Sequence, residues 1–251
     1  MGERYPNEVG LVGDRRRTLA ALAPLLQHND HRRFLEHAQA RMQEWGQLME
    51  ERATRPDIPM KPQVIAWELG KRQRDDAIVC SDSGIIATWW ARQIRARREQ
   101  MHSLSGMLAS MGNGLPYAIA AQVAYPERQS VAFVGDGGFS MLMAELATCV
   151  KYKLPIKVVI VKNNTLGMIK WEQMVCLGNP EYGCELQPID FAAFARACGA
   201  TGFTVGYGKA EALGWADYLQ ASLRARLQLQ SDVSGSRSKV FRLGLKGPLR
   251  S

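Results

Sequence analysis

The chain has 251 residues, of which 46% are hydrophobic and 22% charged, with a formal net charge of +8. That is the make-up of an ordinary globular protein with one large domain, or one domain plus a fragment. No apolar run approaches the roughly 18–20 residues of a membrane span, so no transmembrane helix is expected.

The excess positive charge does not by itself indicate nucleic-acid binding. It is split among Arg15–Arg17, Arg92–Arg98 and the last forty-odd residues. No aromatic residues interleave with it, and no helix-turn-helix or zinc pattern accompanies it. The N-terminus has no apolar stretch behind a basic start, so no secretory leader is expected. Contact with a membrane surface stays open. The five cysteines, Cys80, Cys149, Cys176, Cys184 and Cys198, are odd in number, scattered and free of C-x-x-C. This pattern favours buried thiols in a reducing cytoplasm.

Taken in chain order, Glu8–Leu26 reads as one βα unit: a short strand, VGLVG, then Asp14 as N-cap of an amphipathic helix. His31–Arg55 is a charged amphipathic helix. His28, His31 and His37 share no i, i+4 face, so they read as solvated side chains rather than metal ligands. Pro56, Pro59 and Pro62 place a boundary near 56–62.

From Lys61 the pattern becomes regular. Helices are expected at Pro62–Arg72, Ala87–Ile94, Met111–Ala124 and Phe139–Lys151, and after Asp190. Strands are expected at Ala77–Cys80, Gln129–Val134 and Ile156–Val161. The strands are continuous in Val and Ile, which implies an α/β fold: a parallel sheet with helices on both faces. Residues 206–251 carry eight Lys or Arg against three Asp or Glu, with no period of 2 or 3.6. They read as an atypical, poorly ordered basic tail in which no closing strand is evident.

The chemistry concentrates in Val131–Gly167. A buried strand runs into Gly135-Asp136-Gly137-Gly138, where the glycines allow a tight turn and close approach of a phosphate. Ligands of parallel sheets bind at the carboxyl ends of strands, where Asp136 projects. A second strand then brings Asn163, Asn164 and Thr165 up beside it. Asp136, an Asn oxygen, a backbone carbonyl, diphosphate oxygens and water would complete the six-oxygen shell of Mg²⁺.

Gly-Asp-Gly followed after 25 residues by Asn-Asn resembles the fingerprint of the thiamine-diphosphate enzymes. The likeness runs from about Tyr5 to Val205 and is greatest to the pyruvate oxidase and acetohydroxyacid synthase group. Within that group, YPERQSVAFVGDGGFSMLM and KLPIKVV are nearest to pyruvate oxidases. The resemblance implies Mg²⁺ ligation by Asp136, Asn163 and the carbonyl of Thr165, with Lys162 in place of the first Asn of the usual pair. Counting from the Asn pair instead selects Asn164. It implies diphosphate contacts from Gly137 and Gly138, and a cofactor lining from Leu166, Gly167, Met168 and Ile169. Met111 matches the residue that props the cofactor into a bent shape, and Ala109 and Ser110 match neighbours of its pyrimidine. Asp82-Ser83-Gly84 matches another cofactor loop, but Ile85 and Ile86 lack the polar groups often found there. Trp171 and Glu172 are candidates to face substrate or to be structural and solvated.

The resemblance further implies a division into a middle-domain remnant with linker helix at 1–55, a thiamine-diphosphate-binding domain at 61–205, and the tail. In the family, an activating glutamate lies in a separate pyrimidine-binding domain. That domain is not expected in this chain, and neither Glu145 nor Glu172 replaces the glutamate by motif. The resemblance implies FAD in relatives, but most of the domain that would hold it is not expected in this chain. The implied chemistry is decarboxylation and oxidation of a small 2-oxo acid, pyruvate, completed by a pyrimidine-domain-bearing chain or a homo-oligomer. Acetolactate-type carboligation, a truncated or frame-shifted product, and a non-catalytic interaction protein remain as alternatives.

Overall fold

A computed structural model describes residues 6–57, 60–205 and 228–232. The chain divides into two compact units, residues 1–46 and 47–251.

In the first unit, helix α1 spans Arg15–Leu22 and is capped by Asp14, whose carboxylate accepts from the Arg17 N–H at 2.9 Å. The strand expected just before it is absent. Val9 and Val12 are 75% and 90% exposed, and among the described residues nothing pairs with this segment. A lone strand leaves its backbone groups without a ladder, so the local β-propensity of VGLVG does not suffice. Helix α2, Arg33–Thr54, begins in this unit and ends in the second. His28, His31 and His37 are exposed, as expected.

Among the described residues, the second unit is built on six parallel strands: β1 (Ile78–Ser81), β2 (Met101–Ser103), β3 (Ser130–Gly135), β4 (Lys157–Lys162), β5 (Gly202–Val205) and β6 (Gln228–Asp232). Their spatial order is β2-β1-β3-β4-β6-β5. The two central strands, β3 and β4, are buried almost throughout because both faces are covered. Alternate residues supply two separate cores. Phe133, Val159 and Val161 pack with Ile65 and Leu69 of α3 (Pro62–Arg72) and Ile86 of α4 (Ile85–Gln93). Val134, Val158 and Ile160 pack on the other face with Leu115 of α5 (Gly114–Ala124), Phe139 of α6 (Asp136–Leu142), and Leu146 of α7 (Glu145–Lys151). Phe191 and Ala195 of α9 (Phe191–Ala197) complete this second core, and the Phe191 ring meets Phe139 edge-on at 5.2 Å. This is the doubly covered parallel sheet that the Val- and Ile-rich strands call for.

Three expectations for this second unit need correction. The helix expected over Phe139–Lys151 starts earlier, at Asp136, and breaks at Met143–Ala144 into α6 and α7. Leu146 and Ala147 donate to carbonyls only three residues back, which tightens and interrupts the helix there. The apolar helix expected from Met111 begins at Gly114, which leaves Met111 in the preceding loop. A closing strand, not evident in the sequence of the tail, is present: β6 lies between β4 and β5 and pairs in parallel with both. Its sequence, QLQSD, lacks the apolar run by which a buried strand is recognised. The rest of the basic tail lies outside the described residues. No helix among the described residues is long and apolar enough to cross a membrane.

Candidate functional site

A cleft opens at the carboxyl ends of β1, β3 and β4. It is lined by Ser83, Gly84, Ile85, Ile86 and Trp89 from the β1–α4 segment, and by Met111 from the loop before α5. Gly135, Asp136, Gly137 and Gly138 form its floor, and Asn163, Thr165, Leu166, Gly167, Met168 and Ile169 its far wall. The cleft encloses only about 60 Å³, so it is one wall of a site rather than a closed chamber.

Asp136 is the centre of this wall. Parallel pairing sets Gly135 opposite Val161, which places Asp136 level with the end of β4. Its Oδ2 accepts the backbone N–H groups of Asn164 at 2.6 Å and Asn163 at 3.1 Å, and its Oδ1 accepts from Gly137. The carboxylate is only 5% exposed. Burial raises its pKa above the ordinary 3.8, while the three N–H groups act against that rise. Asn164 takes the left-handed conformation, φ 54°, which asparagine tolerates. That turn lets two successive N–H groups aim at one carboxylate oxygen.

The Asn163 side-chain oxygen accepts from the Thr165 N–H at 3.1 Å, and the Thr165 carbonyl accepts from Gly167. Each oxygen keeps a second lone pair. Thr165 bridges Glu185, and Leu166 and Leu186 bond to Cys184 and Asn164, so the far wall is braced by its own return strand. Beyond Gly167 the short helix α8, Gly167–Trp171, continues as a π-helical turn, Glu172–Cys176. Lys170 pairs with Glu181, and Gln173 bonds twice to Tyr182, which ties this turn to the returning chain.

Two glycines of the floor, Gly137 and Gly138, leave little room for a side chain. A Cβ on Gly137 would lie 2.9 Å from Leu166, 3.1 Å from Leu186 and 3.7 Å from the Met111 methyl. A Cβ on Gly138 would fall 1.5 Å from Asp82 Oδ2. Two residues that line the cleft, Ser83 and Thr165, have hydroxyl oxygens that are buried without a hydrogen-bond partner among the described residues. Buried polar atoms of this kind are ordinarily satisfied by something.

The structure thus brings together ten of the twelve sequence-selected cofactor residues: Met111, Asp136, Gly137, Gly138, Asn163, Thr165, Leu166, Gly167, Met168 and Ile169. Ala109 and Ser110 are exposed and do not line the cleft; Ala109 has φ 50°. Trp171 and Glu172 are exposed outside it. Glu145 accepts from Thr148 in its own helix. Sequence reasoning gave too little weight to the β1–α4 segment. The signal was Gly84, which has φ 101° at the helix start and lets Ser83, Ile85 and Ile86 reach the cleft.

A parallel sheet with a glycine-floored, oxygen-lined cleft at its carboxyl ends is the architecture of a domain that binds a phosphorylated cofactor. Residues 82–220 match the family described as thiamine pyrophosphate enzyme, C-terminal TPP binding domain. The chain belongs to this family of thiamine-diphosphate-dependent enzymes. It is similar to a Bacillus subtilis protein named putative thiamine pyrophosphate-containing protein YdaP, with 46% identity over 82% of this chain and 36% of that protein. It is 31% identical to pyruvate oxidase of Lactiplantibacillus plantarum, over 82% of this chain and 34% of the oxidase. Identity to the large subunit of acetolactate synthase isozyme 3 of Escherichia coli is 30%, over 80% and 36% of the two chains. The chain therefore spans about a third of the length of the curated relatives it matches. A thiamine diphosphate-dependent 4-hydroxybenzoylformate decarboxylase of Rhodococcus jostii shares the fold, with a TM-score of 0.61 at 23% identity over 69% of this chain and 32% of that one.

Proposed function

We propose that this chain holds the diphosphate end of thiamine diphosphate through Mg²⁺, as part of an enzyme that decarboxylates and oxidises pyruvate or a similar small 2-oxo acid. The observation that carries the reading is the Asp136 carboxylate, joined across two parallel strand ends to Asn163 and Asn164 beside the Gly137–Gly138 turn. The residues present fit the cofactor. Asp136, the Asn163 amide oxygen and the Thr165 carbonyl offer Mg²⁺ only hard oxygen donors. Gly137 and Gly138 let phosphate oxygens approach the backbone, and Ser83 and Thr165, whose hydroxyls have no partner among the described residues, line the same cleft. Met111, over Gly137, would orient the organic part.

Thiamine diphosphate, when bound, supplies a nucleophilic carbon for cleavage or ligation beside the carbonyl of a 2-oxo acid. This chain's residues bind and orient it. Among the described residues no glutamate lines the cleft. We therefore assign the activating carboxyl, and the opposite wall, to a pyrimidine-binding domain outside the residues that line this cleft. The similar identity to acetolactate synthase favours a second reading, carboligation of two 2-oxo acid units.

Calorimetry tests the binding. Thiamine diphosphate should bind with Mg²⁺ and much more weakly without it, and Asp136→Ala should lose the metal dependence. Equal binding by the mutant would sink the metal assignment. Pyruvate turnover by this chain alone would sink the claim that a further domain is needed. Acetolactate rather than acetate or acetyl phosphate as product would select the second reading.

A further inference from the structure

Asp82, the first residue of the Asp82-Ser83-Gly84 segment, stands directly behind the cleft and is not among the residues assigned above to the metal or diphosphate. It follows β1, is 1% exposed, and does not itself line the cleft. Its Oδ1 accepts the N–H of Gly112 at 2.8 Å and of Ser83 at 2.9 Å. Its Oδ2 has no hydrogen-bond partner among the described residues and rests against Gly138, where a Cβ would come within 1.5 Å. One carboxylate therefore touches three chain segments far apart in sequence. Each of them carries a wall of the cleft: Ser83 at the start of α4, Gly112 next to Met111, and Gly138 in the floor.

A buried carboxylate is costly unless its contacts repay it. A structural turn would be satisfied by a neutral acceptor. Here the acceptor is a carboxyl, and beyond its own turn, in which the Ala109 and Ser110 N–H groups bond back to Ser105, the neighbouring loop carries little else to hold it. Met107 and Leu108 in that loop are 97% and 86% exposed, and Ala109 sits at φ 50°. Anchoring begins again at Gly112 and Asn113, and the Asn113 amide donates to the Ser81 carbonyl at 3.1 Å. The Asp82–Gly112 bond is thus the point at which an exposed, strained loop is tied to the floor, one residue after Met111.

We propose that Asp82 is a positioning residue that fixes Met111 over the Gly137–Gly138 turn, so that the site grips the organic part of its cofactor and not only the diphosphate. This rests on the cofactor reading given above. Asp82 acts through Gly112 and touches no ligand. Its loss loosens the Met111 side of the cleft while Asp136, Asn163 and Thr165, which bond only among themselves and their neighbours, stay in place.

The test compares two ligands and one ligand-free measurement. Thiamine diphosphate and inorganic diphosphate, each with Mg²⁺, are titrated into wild type, Asp82→Ala and Asp82→Asn. Asp82→Ala should weaken thiamine diphosphate by about tenfold, the scale of one hydrogen bond to a charged group, and change inorganic diphosphate by less than about twofold. Asp82→Asn keeps an oxygen for Gly112 and should fall between. Amide exchange at Gly112, measured without ligand, should accelerate in Asp82→Ala. Equal weakening of both ligands, or unchanged exchange at Gly112, overturns the proposal. Failure of wild type to bind thiamine diphosphate overturns the cofactor reading instead, and exchange at Gly112 then decides the positioning role alone.

Discussion

Gly138→Ala is the sharpest probe of how the cleft floor is packed. The new methyl would lie 1.5 Å from Asp82 Oδ2 and 2.6 Å from its Cγ, where real Cβ contacts stay beyond 3.0 Å. The carboxylate would have to retreat by about 1.5 Å, the difference between those two distances. It cannot do so while Oδ1 keeps its bonds to Gly112 and Ser83 at 2.8 and 2.9 Å. Hydrogen bonds to charged groups contribute about 1.5–3 kcal/mol each, and overpacking a close-packed site costs about 1–3 kcal/mol. We expect Gly138→Ala to destabilise the chain by about 3 kcal/mol, read as a shift in the urea midpoint at constant m-value. Gly106→Ala, with open space around the new methyl, should stay within about 0.5 kcal/mol of wild type. The decisive comparison is a double-mutant cycle. If the clash with Asp82 is the cause, Gly138→Ala should cost at least about 1 kcal/mol less on an Asp82→Ala background. An additive cycle, or a single mutant as stable as wild type, refutes the packing argument.

Other outcomes follow from burial. Cys80 and Cys149 have thiols pushed up to about 12 and about 11 by desolvation, so almost none is thiolate at pH 8. Exposed Cys176 should therefore be alkylated first in the native protein, and mass spectrometry showing equal labelling of Cys80 would contradict this. Burial raises the Asp82 carboxyl above its ordinary 3.8, so the folded state binds that proton more tightly than the unfolded chain. Wild type should gain stability relative to Asp82→Asn as pH falls from above the raised value towards 3.8; a relative loss in denaturation midpoints would reverse the sign assigned here. Phe133→Ala removes a fully buried ring from the α3–α4 core and should cost about 3–5 kcal/mol, readable in the same urea titration, with a loss below about 1 kcal/mol indicating a site that collapses.

The central part of this fold was legible because β3 and β4 are buried on both faces and must be apolar along their whole length. Asp136 and the Asn163–Asn164 turn were legible because strand ends and glycines fix where such residues emerge. Elements that draw their stability from neighbours were not. QLQSD becomes a strand because β4 and β5 supply ladders on both sides. Met101–Ser103 becomes one because it pairs with β1 at the sheet edge. Conversely, VGLVG has strand-like residues but no partner. Asp82 was noticed as part of a loop, yet its function as a common contact of three segments is visible only in space, since Gly112 and Gly138 lie 30 and 56 residues away.

The position of β6 bears on how the chain reaches its folded state. Among the described residues, β5 pairs only with β6 in the sheet, and β4 meets no other strand on that side. Until residues 228–232 have been synthesised and inserted, β4 is an edge: six buried residues, KVVIVK, with an open ladder. Non-local insertion of this kind is slow relative to local helix formation. During synthesis the hazard is therefore edge-to-edge association through β4, and the late polar strand is what closes that edge.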